Sequence, residues 1–187
     1  MISRILGKVL KGVHAGESQM AWNVIPSVAE QAIHLGSGSF PSGGTIPRRY
    51  AGKGVGENRS PALEWSVPPV GTQELVLIME DPDAPLRRPF VHMIAYGIAP
   101  EVRGYPEGAL SKSGYAACTY GRNTFGSSGY QGPRALPGHG PHRYVFQIFA
   151  LDKPLSFRTA PNLDQLLKAM NGSVLARGRL DGYFEQK

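Results

Sequence analysis

Residues 75–96 read Leu-Val-Leu-Ile-Met-Glu-Asp-Pro-Asp-Ala-Pro-Leu-Arg-Arg-Pro-Phe-Val-His-Met-Ile-Ala-Tyr, and this stretch restricts the fold more than any other. Leu75 to Met79 predicts a buried strand and Phe90 to Ile98 a second, joined by the polar corner Asp81-Pro82-Asp83-Ala84-Pro85. Proline fixes φ and removes a backbone donor, so the corner cannot continue a central strand and must present its carboxylates at a strand end. Period-two alternation puts Phe90, His92, Ile94 and Tyr96 on one face and Val91, Met93, Ala95 and Gly97 on the other. His92 then emerges close to Asp81 and Asp83.

The rest of the chain fits a sheet protein. At 187 residues it is the size of one domain. Its 24 glycines and 16 prolines are spread between apolar runs, as turns are between strands. His142, Tyr144, Phe146 and Ile148 alternate with Arg143, Val145, Gln147 and Phe149, which predicts a strand from Tyr144 to Leu151. Asn162 with Gln165 reads as a capping box ahead of the stripe Leu163, Leu166, Leu167 and Met170, and Gly172 suits the stop. Residues 173–184 predict a last strand. Residues 36–62 are turns, and residues 104–132 include a long loop anchored by aromatics. Short strands and one late helix indicate a mainly β, antiparallel sandwich. It forms a single domain over 1–187, with a core at 33–185 and an N-terminal extension at 1–32.

In that extension Ile2, Ile5, Leu6, Val9, Leu10 and Val13 recur at helical spacing, with Arg4, Lys8 and Lys11 opposite. The expected use is a short helix packed on its own domain or on a partner subunit, in preference to a membrane surface. Lysines interrupt the apolar core that a signal peptide needs, and no run of roughly 18 apolar residues predicts a membrane span. The expected location is cytoplasmic. Cys118 is the sole cysteine, which excludes an intrachain disulfide and a cysteine-based zinc cage. The net charge of +6 favours anionic partners, but no dense basic cluster with interleaved aromatics predicts nucleic-acid binding. The glycines match neither a Rossmann nor a Walker spacing.

Two groups of residues could carry chemistry: Asp81, Asp83 and His92, and the stretch from Gly132-Pro133 to His142 and Tyr144. Imidazole and glycine N–H groups and a phenol O–H are donors suited to a small oxyanion. A carboxylate among them fits if Asp81 accepts from a histidine and fixes its tautomer, or shares a proton with a bound phosphate. His139, in a Gly-His-Gly turn, is expected to face water.

Five ordered stretches carry a family resemblance. They are Gly56-x-Asn58-x-Ser60-Pro61-x-Leu63-x-Trp65, Asp81-Pro82-Asp83-Ala84-Pro85, Phe90-x-His92, Gly121-x-Asn123 through Gly132-Pro133, and Pro137-Gly138-His139-Gly140-Pro141-His142-Arg143-Tyr144. Together they resemble the phosphatidylethanolamine-binding protein family in its bacterial Raf-kinase-inhibitor-like branch, over roughly residues 33–185. The resemblance implies Greek-key connections, a frequent homodimer, and an anion pocket at one end of the sheet. Asp81, Pro85, His92, Gly132, His142 and Tyr144 would line that pocket, with Phe90 at its rim and Pro133 beside Gly132. Arg134-Ala135-Leu136 departs from the family's proline-rich run and places a cation in the loop, which could strengthen attraction to a phosphate.

The expected function is non-catalytic binding of a phosphate-bearing small molecule, a phospholipid headgroup or a phosphorylated residue, with possible modulation of kinase signalling. One alternative is a protease inhibitor or scaffold acting through its surface. A metal-assisted hydrolase ranks lower: His139 and His142 are poorly spaced for zinc, no Gly-x-Ser-x-Gly elbow is present, and no cofactor or metal is expected.

Overall fold

The computed structural model describes residues 2–26, 32–111 and 116–186. Residues 27–31 of the predicted connecting segment and 112–115 of the predicted long loop lie outside them. Two helices come first, α1 (Ile2–Val9) and α2 (Ala21–Val24), followed by the short strands β1 (Leu35–Gly36), β2 (Gly44–Thr45) and β3 (Leu63–Trp65). The long strands β4 (Glu74–Asp81) and β5 (Phe90–Ile98) precede β6 (Gly104–Tyr105) and β7 (Thr119–Tyr120). The chain closes with β8 (His142–Leu151), α3 (Leu163–Met170) and β9 (Val174–Phe184).

A six-stranded sheet in the order β2-β9-β8-β4-β5-β7 faces a three-stranded sheet in the order β1-β3-β6. The predicted mainly β, two-sheet architecture is therefore present. It is not wholly antiparallel, because β2 runs parallel to β9 through Gly44↔Gly182 and Thr45↔Tyr183. Alternation sorts the central strands onto two cores. Leu75, Leu77, Met79, Tyr144, Phe146 and Ile148 join Leu63, Trp65 and Tyr105 in one. Val76, Ile78 and Phe149 pack under Leu166, Met170 and Ala21 in the other.

The predicted alternation of β5 breaks at two register shifts, one between Ala95 and Ile98 and one at His92. Met79 faces Met93 but Glu80 faces Val91, so His92 is the extra residue of a β-bulge. A bulge leaves one residue unpaired and re-aims its side chain. Met93 and Ala95 pack in the first core while Val91, Ile94 and Tyr96 pack in the second. His92 leaves the face predicted for it, shared with Ile94 and Tyr96, and its ring lies 5.1 Å from that of Tyr144, edge to face.

The capping box of α3 forms as its sequence predicts: Asn162 Oδ1 accepts from Gln165 N at 2.9 Å, and Gln165 Oε1 from Asn162 N at 3.0 Å. Asn162→Ala is expected to lower stability by about 1 kcal/mol, as chemical denaturation would measure, because the helix-end donor Gln165 N loses its acceptor.

The N-terminal extension is more than an appendage. Ala15 N donates to Ala84 O at 3.0 Å and Gly16 N to Pro82 O at 2.9 Å, tying the extension to the proline corner. α2 has no side-chain cap of its own. Its first amides are taken up by the sheet instead, Ala21 N by Glu80 Oε2 at 2.9 Å and Trp22 N by Gln147 Oε1 at 2.7 Å. Of the two uses expected of helix α1, packing on its own domain or on a partner subunit, the first does not bury the apolar stripe. Ile5, Leu6, Val9 and Val13 are exposed, while the face bearing Gly7 is seated against the loop after Leu136.

Candidate functional site

At the end of the large sheet where β4, β5 and β8 meet the proline corner lies a cavity of about 590 Å³. Asp81 supplies the end of β4, His92 the bulge of β5, and His142 the start of β8. Pro85, Leu86 and Phe90 come from the corner, and Thr124, Phe125, Gln131, Gly132, Arg134 and Ala135 from the loop between β7 and β8. Ser3 of α1 also reaches the lining.

Asp81, Pro85, Phe90, His92, Gly132 and His142 are thus brought together as the sequence predicts. Pro133 and Tyr144 are beside the cavity without lining it. Pro133 is buried and its carbonyl accepts from Gly52 N at 2.9 Å. Tyr144 is fully buried, with its ring 5.1 Å from His92 and 6.5 Å from His142 by centroid, and its hydroxyl accepts from Arg134 N at 3.2 Å. Tyr144 therefore acts as the wall on which both imidazoles rest. Burial, with Asp81 nearby, holds its phenol well above the usual range, so it keeps its proton.

Hydrogen bonds determine the protons. A carbonyl can only accept, so His139 Nε2, 3.1 Å from Val13 O, carries a hydrogen. His139 Nδ1 and His142 Nε2 are hydrogen-bonded to each other at 2.8 Å. The remaining nitrogen, His142 Nδ1, lies 2.8 Å from Asp81 Oδ2, and the pair holds one proton in common. Asp81 Oδ1 accepts from Asp83 N at 2.8 Å, which closes the corner as an Asx turn. The arrangement is a buried chain from the Val13 carbonyl through His139 and His142 to Asp81. Of the two roles open to Asp81, pairing with a histidine is the one present.

His139 corrects the expectation that it faces water: it is 3% exposed and hydrogen-bonded through both ring nitrogens. Its Gly-His-Gly context suggests a surface turn, but the N-terminal extension lies over that turn and buries it. The roles of His139, Gln131 and Val13 were not legible, because their partners lie on distant segments.

His92 stands apart from this chain. Its Nδ1 must donate to Gln131 O at 2.7 Å, which leaves Nε2 with no protein partner among the described residues. Burial pushes this imidazole below its ordinary value, against the opposing pull of Asp81, so the ring is neutral near pH ~7 and Nε2 offers a lone pair. Phe90 packs on His92 at 4.7 Å and on Phe125 at 4.8 Å, forming an aromatic rim. Arg134 is exposed on the lining and makes no ion pair among the described residues. No group of three or more His, Cys, Asp or Glu among the described residues has the geometry to hold a metal ion. No helix among them is long and apolar enough to cross a membrane.

Comparison with known proteins agrees with the fold. The family profile of phosphatidylethanolamine-binding proteins matches residues 36–185. A UPF0098 protein of Pyrococcus abyssi is 39% identical over 146 residues, covering 76% of this chain and 79% of that protein. A putative phosphatidylethanolamine-binding protein homologue from Chlamydia trachomatis superposes with a TM-score of 0.75 at 36% identity, over 83% of this chain and 99% of the other. YbcL of E. coli, described as a new member of the mammalian PEBP family, superposes with a TM-score of 0.77 at 26% identity, over 84% and 100%.

Proposed function

This chain belongs to the phosphatidylethanolamine-binding protein family, and on that footing we propose that its cavity binds, without converting it, a small ligand bearing a phosphoryl or similar oxyanion group. The observation that carries this reading is His92, a buried imidazole oriented by Gln131 whose second nitrogen has no protein partner and lies in a cavity lined also by Arg134. Arg134 supplies a cation at the mouth. His92 either accepts a hydrogen bond from a protonated phosphoryl oxygen or takes up a proton and donates. The aromatic rim of Phe90 and Phe125 suits the carbon portion of such a ligand.

Non-catalytic binding is favoured by what the lining lacks. Its two hydroxyls, on Ser3 and Thr124, have no base paired with them among the described residues, and Thr124 Oγ1 accepts from Val91 N at 2.8 Å. His139 and His142 have both nitrogens committed, so neither is free to activate a nucleophile. A lipid headgroup and a phosphorylated side chain, the latter as in modulation of a kinase, offer the same chemistry to this cavity. Titration with phosphoethanolamine and with a phosphoserine peptide separates the two sources. Imidazole resonances of His92 that move with neither would overturn the reading.

Binding is expected to be proton-linked. An anion beside Nε2 favours the charged imidazole, whereas burial disfavours it in the free protein, so binding draws a proton onto His92. Affinity should rise as pH falls between the bound-state and free-state values of His92, by up to about tenfold per pH unit. Sulfate, whose charge is constant near neutrality, isolates the protein's proton from the ligand's. Calorimetry in buffers of different ionisation enthalpy should register uptake of close to one proton, and His92→Gln should abolish it.

A further inference from the structure

Helix α1 lies outside the family match at residues 36–185, and it is mounted with its apolar side out. A Cβ on Gly7 would stand 2.1 Å from Pro137 O, and one on Gly138 would stand 2.8 Å from Arg4 O, so backbone meets backbone along the inner face. Ile5, Leu6, Val9 and Val13 are left 58%, 49%, 75% and 45% exposed. Soluble domains seldom present so many large aliphatic side chains on one short segment, and such a patch marks a contact surface. Two more exposed apolar residues, Leu86 and Phe125, stand on the lining of the cavity that Ser3 of α1 also reaches. The apolar helix and the apolar rim therefore share one end of the molecule.

The charge on this segment is of one sign. Arg4, Lys8 and Lys11 lie across the helix from the aliphatic stripe, with the stems of Arg4 and Lys8 near Gly138, and no acidic residue precedes Glu17. We propose that α1 docks this end of the protein on an anionic lipid bilayer surface, with Ile5, Leu6 and Val9 in the interfacial region and Arg4, Lys8 and Lys11 against lipid phosphates. An in-plane helix combining an apolar face with basic flanks binds by those two terms together, and long basic side chains reach past the apolar face to the headgroups. A second copy is the poorer occupant. Symmetric self-association would bring the same apolar stripe of each subunit together and would leave the basic residues of the segment without an anionic partner. The surface requires only an exposed helix, so it stands or falls separately from the ligand assigned to the cavity.

The test is co-sedimentation of the full chain with vesicles of phosphatidylcholine alone and of phosphatidylcholine mixed with phosphatidylglycerol. Binding is expected to the mixed vesicles only and to weaken with added salt. Lys8→Gln with Lys11→Gln should lower the partition coefficient about five-fold for each cation removed. Leu6→Ser with Val9→Ser should abolish binding while the thermal unfolding midpoint stays put, since both side chains are exposed. Excess free phosphoethanolamine should leave vesicle binding intact. The proposal is overturned if wild-type protein ignores the mixed vesicles, if either pair of substitutions leaves binding unchanged, or if free phosphoethanolamine strips the protein off. It is equally overturned if ultracentrifugation shows a dimer that Leu6→Ser with Val9→Ser dissociates, for then the helix meets a second copy.

Discussion

His142→Ala is expected to destabilise the fold by about 3–5 kcal/mol at neutral pH, measured by urea unfolding, because it leaves a buried carboxylate without its partner. Asp81 is 3% exposed and would retain a single acceptor interaction, with Asp83 N. His139 Nδ1 would also lose its partner. The charge and packing components can be told apart. Adding Asp81→Asn to His142→Ala keeps an acceptor for Asp83 N and removes the uncompensated charge, so the double variant should be more stable than His142→Ala alone. Equal stability of the two would show that the lost ring, not the lost proton partner, sets the cost. Because Asp81 also fixes the proline corner, the same substitution is expected to loosen the cavity wall.

Glu80→Gln should act in the opposite direction and only at high pH. Glu80 lies on the face of β4 turned away from the cavity, where it is fully buried; its Oε2 accepts from Ala21 N and from Gln147 Nε2 at 2.8 Å, and its Oε1 has no partner. Burial pushes this carboxyl up to about 7, against the opposing hydrogen bonds. A folded-state value above the unfolded one means that the native state holds the proton more tightly. The stability this confers is complete below about pH 4.5 and is lost as pH rises through about 7, amounting to about 3 kcal/mol. Glutamine reproduces the protonated acid, with one oxygen serving both donors and an NH₂ where Oε1 stood. The variant should match wild type at about pH 5 and exceed it by about 3 kcal/mol at about pH 9. A difference that does not vary with pH would mean that Glu80 is not the titrating group. Since Glu80 and Gln147 hold the first amides of α2, the variant should also keep the N-terminal extension in place through the alkaline range.

Much of this protein was legible in its sequence because the signals were local. Leu75 to Met79 and Tyr144 to Phe149 declare their strands by apolar content and period, Pro82 and Pro85 declare the corner by covalent geometry, and Asn162 with Gln165 declares a helix start by mutual capping. Each depends on residues within a few positions of one another. The family motifs then gathered Asp81, His92, Gly132 and His142 at one end of the sheet, where the cavity lies.

What the sequence left open depends on neighbours supplied by distant segments. The bulge at His92 belongs to the pairing of β4 with β5, and an extra residue in a ladder has no signature in either strand alone. His139 is buried because Val13, 126 residues away, closes over its turn. The proton shared by His142 and Asp81 exists because folding brings residues 61 positions apart to within 2.8 Å. The stripe of α1 illustrates the limit most plainly: helical periodicity determined which side chains share a face, but only the seat of Gly7 against Pro137 decided that the face points outward. Periodicity is a property of one segment, whereas the direction a segment faces is set by what packs against it.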